Sequence, residues 1–252
     1  RFSVGLQSFN ERTRLALGRP GKPRCFGLAL DNLRAAGAPS LNLDLIYGVP
    51  GQTLADWEGE LRQAIALEPD HVSTYALSVE PGTPLALAGG REGEVDTVVD
   101  MWRMAGDLLG AAGLPRYEVS NYAKPAHRCR HNLHVWHGGT FAGAGPAACW
   151  YDGRSRWSNP ADLDRWRAGE APAEDAISPV ERAVEILIIG LRLVAGWDRA
   201  HYHRVTGYDY LALRGSELTA LAEDGLLALS DTNIHLTDRG LLLADHAATR
   251  LL

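Results

Sequence analysis

Lysine, sulfur and long apolar runs are scarce in this chain, and each scarcity excludes something. Only two of its 25 basic residues, Lys22 and Lys124, are lysine, so its positive charge is almost all arginine. Acidic residues outnumber basic ones by 31 to 25, and a formal net charge of −6 argues against a broad nucleic-acid footprint, which needs clustered Lys and Arg. The three cysteines, Cys25, Cys129 and Cys149, are an odd and sparse set that excludes a disulfide scaffold and suits a reducing, cytoplasmic compartment. No run approaches the ~18 apolar residues of a membrane span, and no secretory leader opens the sequence, so stable membrane insertion is not expected. What is present is apolar material for one large domain, or a medium one with a small one: 252 residues, 46% of them hydrophobic.

Strand and helix signals alternate as far as about residue 123, the pattern of βα units around a parallel sheet. Residues 1–9 and 41–47 read as strands, and between them Phe26, Ala29, Leu30 and Leu33 form a helical stripe that stops at Gly37. Thr53 with Asp56 supplies an N-cap and its partner for a helix whose inner face carries Trp57, Leu61, Ala64 and Ile65. A strand over 72–77, a long helix through Val98, Trp102, Ala105 and Leu109, and a short fourth strand over 117–120 complete this part, residues 1–124. Residues 125–177 are rich in His, Gly, Trp, Pro and Arg without a long periodic helix, which predicts an irregular extension. Regular structure restarts at Ser178-Pro179-Val180-Glu181, an N-cap, a proline at the first helical position and a capping partner. Three helices, a two-stranded wing over 226–229 and 234–236, and a last helix opening at Thr237 predict a small winged-helix-like domain over 178–252. Ten Asp and Glu against seven Arg in that segment favour packing or partner docking over DNA binding.

The chemistry concentrates at strand ends. The strand ending at Tyr47 carries Asp44 and breaks at once into Gly48-Val49-Pro50-Gly51, which puts the carboxylate in reach of a ligand held across the strand ends of an α/β sheet. The first strand ends in Gln7, between Gly5 and Phe9, so two successive strands offer hydrogen-bonding side chains to the same side. On pattern alone, Gln7 and Asp44 suit loop amides equally well, and Arg19 suits surface charge. His127, His131, His134 and His137, with Cys129, have spacings that a helix would gather on one face for a metal. Pro125 and Gly138-Gly139 leave little room for that helix, and no nearby carboxylate completes a ligand set. His131 also reads as a buried, hydrogen-bonded histidine of the extension. Gly143-Ala144-Gly145-Pro146 is a weak phosphate signal and reads as a close-packed turn.

Several of these strings carry a resemblance. Ser3 to Phe9, Gly18-Arg19, Asp44 to Thr53, His71-Val72-Ser73-Thr74-Tyr75 and Glu80-Pro81-Gly82-Thr83 resemble the oxygen-independent coproporphyrinogen III oxidase family of radical S-adenosylmethionine (SAM) proteins. The likeness continues in order through Tyr117 to Ala123, Cys129-Arg130-His131-Asn132 and Gly143 to Pro146, and so covers nearly the whole chain. Gln7-Ser8-Phe9, Gly18-Arg19 and His131-Asn132-x-x-Val135-Trp136 resemble the family's haem chaperone branch more than the oxidase, although Val135 stands where that branch has Tyr. Ala147 replaces a family glycine, and Cys149-Trp150 stands where the family commonly has His-Ser.

The resemblance implies an α/β fold, the second half of a radical SAM (β/α)6 partial barrel followed by the winged-helix-like domain. It implies SAM held by Gln7, Arg19 and Asp44, haem bound by His131, and scaffolding or barrel-mouth positions for Glu118, Asn121, Arg156 and Asn159. Haem and haem-accepting proteins are the implied partners. The family's Cys-x-x-x-Cys-x-x-Cys motif for a [4Fe-4S] cluster is missing, and its ligands are expected upstream of Arg1, on the reading that an N-terminal part is absent. The chain alone is then expected to be inactive as an enzyme, binding no cluster and cleaving no SAM. The alternatives are the oxidase itself, which decarboxylates a porphyrinogen, and a cluster-free haem-binding or scaffold module.

Overall fold

A computed structural model of the chain describes residues 1–19 and 24–252, and Lys22 lies outside them. It divides into two compact units, Arg1–Arg128 and Cys129–Leu252.

The first unit is built on one sheet. Strand β1 (Phe2–Gln7) leads through helices α1 (Glu11–Ala16) and α2 (Arg24–Ala35) to β2 (Leu41–Tyr47), then α3 (Leu54–Ala66) and β3 (His71–Ala76). A short α4 (Pro84–Leu87) and the long α5 (Val95–Ala111) precede β4 (Arg116–Glu118) and β5 (Asn121–Ala123). The sheet order is β1-β2-β3-β5-β4, with β1, β2 and β3 parallel. The expected single fourth strand is instead an antiparallel hairpin: β5 runs against β3, and β4 against β5. Only Val119 and Ser120 connect β4 to β5, too short a link for a crossover helix, so the chain can only reverse.

Alternation gives this sheet two unlike faces. Leu6, Leu43, Leu45, Val72 and Tyr122 are buried on one face. Trp57 of α3 is fully buried, meets the Tyr47 ring at a tilt with centroids 5.2 Å apart and donates its indole N–H to the Met101 carbonyl of α5 at 2.8 Å. Burying that indole with its donor satisfied ties both helices to the apolar face. The capping box anticipated at Thr53 and Asp56 forms as read. The other face carries Ser3, Asn42, Asp44, His71 and Ser73, which register places side by side.

The second unit contains the larger corrections. Residues 130–136 form a helix, α6 (Arg130–Trp136), despite the flanking Pro125 and Gly138. Packing rather than capping holds it: the His137 ring at its C-terminus meets the fully buried Trp197 edge-on at 5.4 Å and stacks on His201 at 5.3 Å. The irregular extension is also ordered into an antiparallel sheet of β6 (Cys149–Tyr151), β7 (Arg156–Ser158) and, after α7 (Leu163–Arg167), β8 (Ala173–Asp175). Strands of three residues are too short to show alternation in sequence. Trp150 and Trp157 face each other across the first pair, 6.2 Å apart and stacked, and Arg156 pairs with Asp175 across the second at 2.5 Å.

The last segment follows its expected order, with refinements. Helix α8 (Pro179–Gly190) has the predicted capping box. Strand β9 (Trp197–Asp198), α9 (Arg199–Thr206) and α10 (Tyr210–Glu223) lead to the wing strands β10 (Leu227–Leu229) and β11 (Asn233–Leu236). The wing gains a third strand, because β9 pairs with β11. The closing helix is split into α11 (Asp238–Leu242) and α12 (Ala244–Leu251).

Candidate functional site

The polar face of the first sheet is organised around Asn42, two residues before Asp44 on the same side of β2. Its amide N–H groups donate to Asp44 Oδ1 at 2.7 Å and Ser3 Oγ at 3.1 Å. Because the amide nitrogen must face the carboxylate, its oxygen faces His71 Nδ1 at 2.7 Å and the Ser73 hydroxyl at 3.3 Å. His71 therefore carries its proton on Nδ1, and Nε2 accepts from the Tyr117 hydroxyl at 2.9 Å. Asn42 thus has all four hydrogen-bonding positions filled, and a line of contacts runs Tyr117, His71, Asn42, Asp44. Burial pushes the His71 imidazole down to about 3, and the positive charges of Arg1 and His127 add to the shift, so His71 is neutral at physiological pH. Downstream on β3, Tyr75 is half exposed. Its phenol is raised by partial burial, opposed by a hydrogen bond with Ser73 and reinforced by the Asp44 and Glu118 carboxylates.

Gln7 approaches the same place from β1. Its backbone is left-handed, φ 64°, a conformation that costs a non-glycine residue of the order of 1 kcal/mol. The turn after it is clamped by two buried charges. Glu60 of α3 accepts from the Ser8 hydroxyl, from Phe9 N–H at 2.6 Å and from Asn10 N–H at 3.1 Å. Arg14 donates to the Ser8 carbonyl at 3.1 Å. Held this way, Gln7 folds back over Gly5, where an added Cβ would sit 2.9 Å from Gln7 Nε2. Gly5 is the register partner of Asp44. The structure therefore brings Gln7 and Asp44 together. Arg19 is exposed beyond α1, anchored through its own N–H to the Arg14 carbonyl at 2.8 Å, with no contact to either among the described residues.

Sequence reading missed Asn42, His71 and Glu60. Asn42 was detectable as the i−2 neighbour of Asp44 on a period-2 strand. Glu60 was detectable as a carboxylate on the stripe of Trp57, Leu61 and Ala64.

The histidines of the second unit and the preceding segment differ in their engagements. His127 Nδ1 meets Ser40 Oγ at 3.0 Å, His134 Nε2 meets the Thr140 carbonyl at 2.8 Å, and His137 Nδ1 meets the Leu133 carbonyl at 2.7 Å. His131, in the first turn of α6, is exposed and makes no hydrogen bond among the described residues, so it is not the buried histidine that pattern alone allowed. Beside it, Cys129 Sγ donates to Asn132 Oδ1 at 3.2 Å. Glu118 is buried and accepts from Ser120 N–H at 3.1 Å and from the Asn121 side chain, holding the β4–β5 turn. Arg156 joins Asp175 to Glu185, at 2.5 and 3.1 Å. Asn159 donates to the Gly145 carbonyl at 2.8 Å and supports the glycine turn.

The donors present suit SAM: a carboxylate for ribose hydroxyls and an amide that both gives and accepts. They do not suit a [4Fe-4S] cluster. Cys129 is buried and engaged with Asn132, Cys149 is exposed on β6, and no three His, Cys, Asp or Glu side chains converge as metal ligands among the described residues.

Comparison with known proteins agrees with this architecture. Residues 177–243 match the HemN C-terminal domain. The heme chaperone HemW of Mycobacterium tuberculosis is 35% identical over 263 aligned positions, covering 100% of this chain and 65% of the relative. HemW of Bacillus subtilis is 30% identical, covering 97% of this chain and 67% of the relative. The chain thus spans about two thirds of the length of these relatives. The solved coproporphyrinogen III oxidase (HemN) of Escherichia coli, a radical SAM enzyme, superposes with a TM-score of 0.82 over 99% of this chain and 63% of its own length, at 20% identity, a likeness of fold. The chain belongs to the HemN/HemW family of radical SAM proteins.

Proposed function

We propose that the chain is the haem-handling part of a HemW-like chaperone, which binds haem through His131 and passes it to haem-accepting proteins. The observation that carries this reading is the state of His131: an exposed imidazole at the start of α6, without a protein partner among the described residues, while the neighbouring histidines are bonded. An accessible imidazole is a standard axial ligand for haem iron. The names of the relatives support the same reading. Exchange also favours it, because a carrier that must release its cargo needs a ligand at the surface.

On this proposal SAM lies against the polar sheet face. Asp44, oriented by Asn42, accepts from the ribose hydroxyls, Gln7 meets a second polar edge, and Arg19 forks onto the amino-acid carboxylate. Bound SAM supplies a sulfonium that can be cleaved by reduction. The chain's own residues bind and orient it. Loading the 252-residue chain with haemin and mixing it with apomyoglobin tests the function. The Soret spectrum should move to that of myoglobin, with the chain recovered haem-free. Haemin that never binds, or that binds and is not given up, contradicts the proposal.

A further inference from the structure

A second place in the same unit fits the other end of a haem. A cavity of about 560 Å3 opens between β6, α8 and the residues that follow α6. Ile177, Ile186 and Val205 give it apolar walls, and Arg154 and Arg182 are the charged residues that line it, with no carboxylate among the lining residues. The Arg154 side chain is exposed and makes no hydrogen bond or ion pair among the described residues. Arg182 lies over the Tyr151 ring at 4.0 Å and donates to the Gly138 carbonyl at 3.3 Å. Its carboxylate partner, Glu185 at 3.2 Å, is shared with Arg156, and its Nε is buried without an acceptor. Two guanidiniums with incomplete compensation above apolar walls describe a site for a flat, apolar molecule that carries carboxylates at one edge.

The segment that follows α6, the helix of His131, lines the cavity. His131 and His134 stand at i and i+3 on α6, and Gly138, two residues past the end of that helix, lies on the cavity wall. A smaller opening at α9, of about 490 Å3, does not compete for such a ligand. It is lined by Asp198, Asp209 and Asp231, and its Arg199 is already paired with Asp209 at 2.5 Å.

We infer that this cavity is a tetrapyrrole subsite in which Arg154 and Arg182 pair with the porphyrin carboxylates. The inference rests on the haem-carrier reading but not on the iron ligand, and metal-free protoporphyrin IX separates the two. The experiment titrates protoporphyrin IX, read by its fluorescence, into the full chain, into Arg154→Ala and into Arg167→Ala, an exposed arginine on α7. Protoporphyrin IX dimethyl ester goes into the unmodified chain. Arg154 is chosen because it is exposed, so its loss leaves the packing intact. Binding of the free acid should weaken at least about tenfold in Arg154→Ala and on esterification, and stay unchanged in Arg167→Ala. Equal binding of acid and ester, an unaffected Arg154→Ala, or no binding of protoporphyrin overturns the subsite. Haemin that shifts its Soret band through His131 while protoporphyrin fails to bind removes the subsite alone. Protoporphyrin bound through Arg154 with no Soret shift for haemin removes the axial ligand alone.

Discussion

Asp44 is only as well aimed as Asn42 makes it, and Asn42 is fixed in turn by His71. Losing a hydrogen bond to a charged group costs ~1.5–3 kcal/mol, so Asp44→Ala should weaken SAM binding roughly tenfold to a hundredfold by calorimetry on the intact protein. Asp56→Ala, which removes only the α3 cap, should trim stability by ~1 kcal/mol and leave SAM affinity alone. The same network makes a pH prediction. His71 sits near 3 in the fold against 6.5 when free, so between those values the unfolded chain binds the extra proton. The stabilisation is complete above about pH 6.5 and is lost as pH falls towards 3. Denaturant midpoints should therefore decline already between pH 6.5 and 5, above the range where carboxylates titrate, and a flat stability profile there would refute the buried neutral His71. His201, also shifted down by burial, contributes in the same direction. Gln7 and Asp44 were legible in the sequence because polar side chains at strand ends stand out. Their supports are harder to read: Asn42 and Glu60 leave a trace in strand and helix periodicity, but the role of each, and of His71, shows only when two strands and a helix are brought side by side.

Turns and caps show where local chemistry suffices and where it does not. The boxes at Thr53/Asp56 and Ser178/Glu181 were readable because each is settled within four residues. Helix α6 and the β6–β8 sheet were not, because their stability comes from His137 on Trp197 and from cross-strand pairs distant in sequence. The Gly143–Ala148 turn falls between these cases. Ala147, which replaces a glycine of the family pattern, keeps a left-handed backbone, φ 59°. Ala147→Gly should therefore raise stability by up to ~1 kcal/mol, less the added freedom of the unfolded glycine, whereas Gly143→Ala should destabilise strongly. A Cβ at Gly143 would lie 2.1 Å from the Cys149 carbonyl oxygen. Thermal melts of the two variants check both signs, and an Ala147→Gly variant clearly less stable than the parent would show that the strain is absent.

The two units divide the proposed work: a polar sheet face for SAM in Arg1–Arg128, and His131 with the arginine-lined cavity in Cys129–Leu252. Each has its own core, the second around Leu187, Trp197, Tyr202, Leu218 and Ile234, all buried. Residues 129–252 expressed alone should accordingly give a dispersed amide spectrum, and a collapsed one would show that this core is not sufficient. Among the described residues no helix is long and apolar enough to cross a membrane. The proposed iron ligation turns on one side chain, His131. The direct test is a haemin titration of the 252-residue chain and of its His131→Ala and His134→Ala variants, followed at the Soret band. The parent and His134→Ala should shift the band alike, and His131→Ala should lose the shift and bind at least about tenfold more weakly; equal behaviour of the two variants would contradict the account.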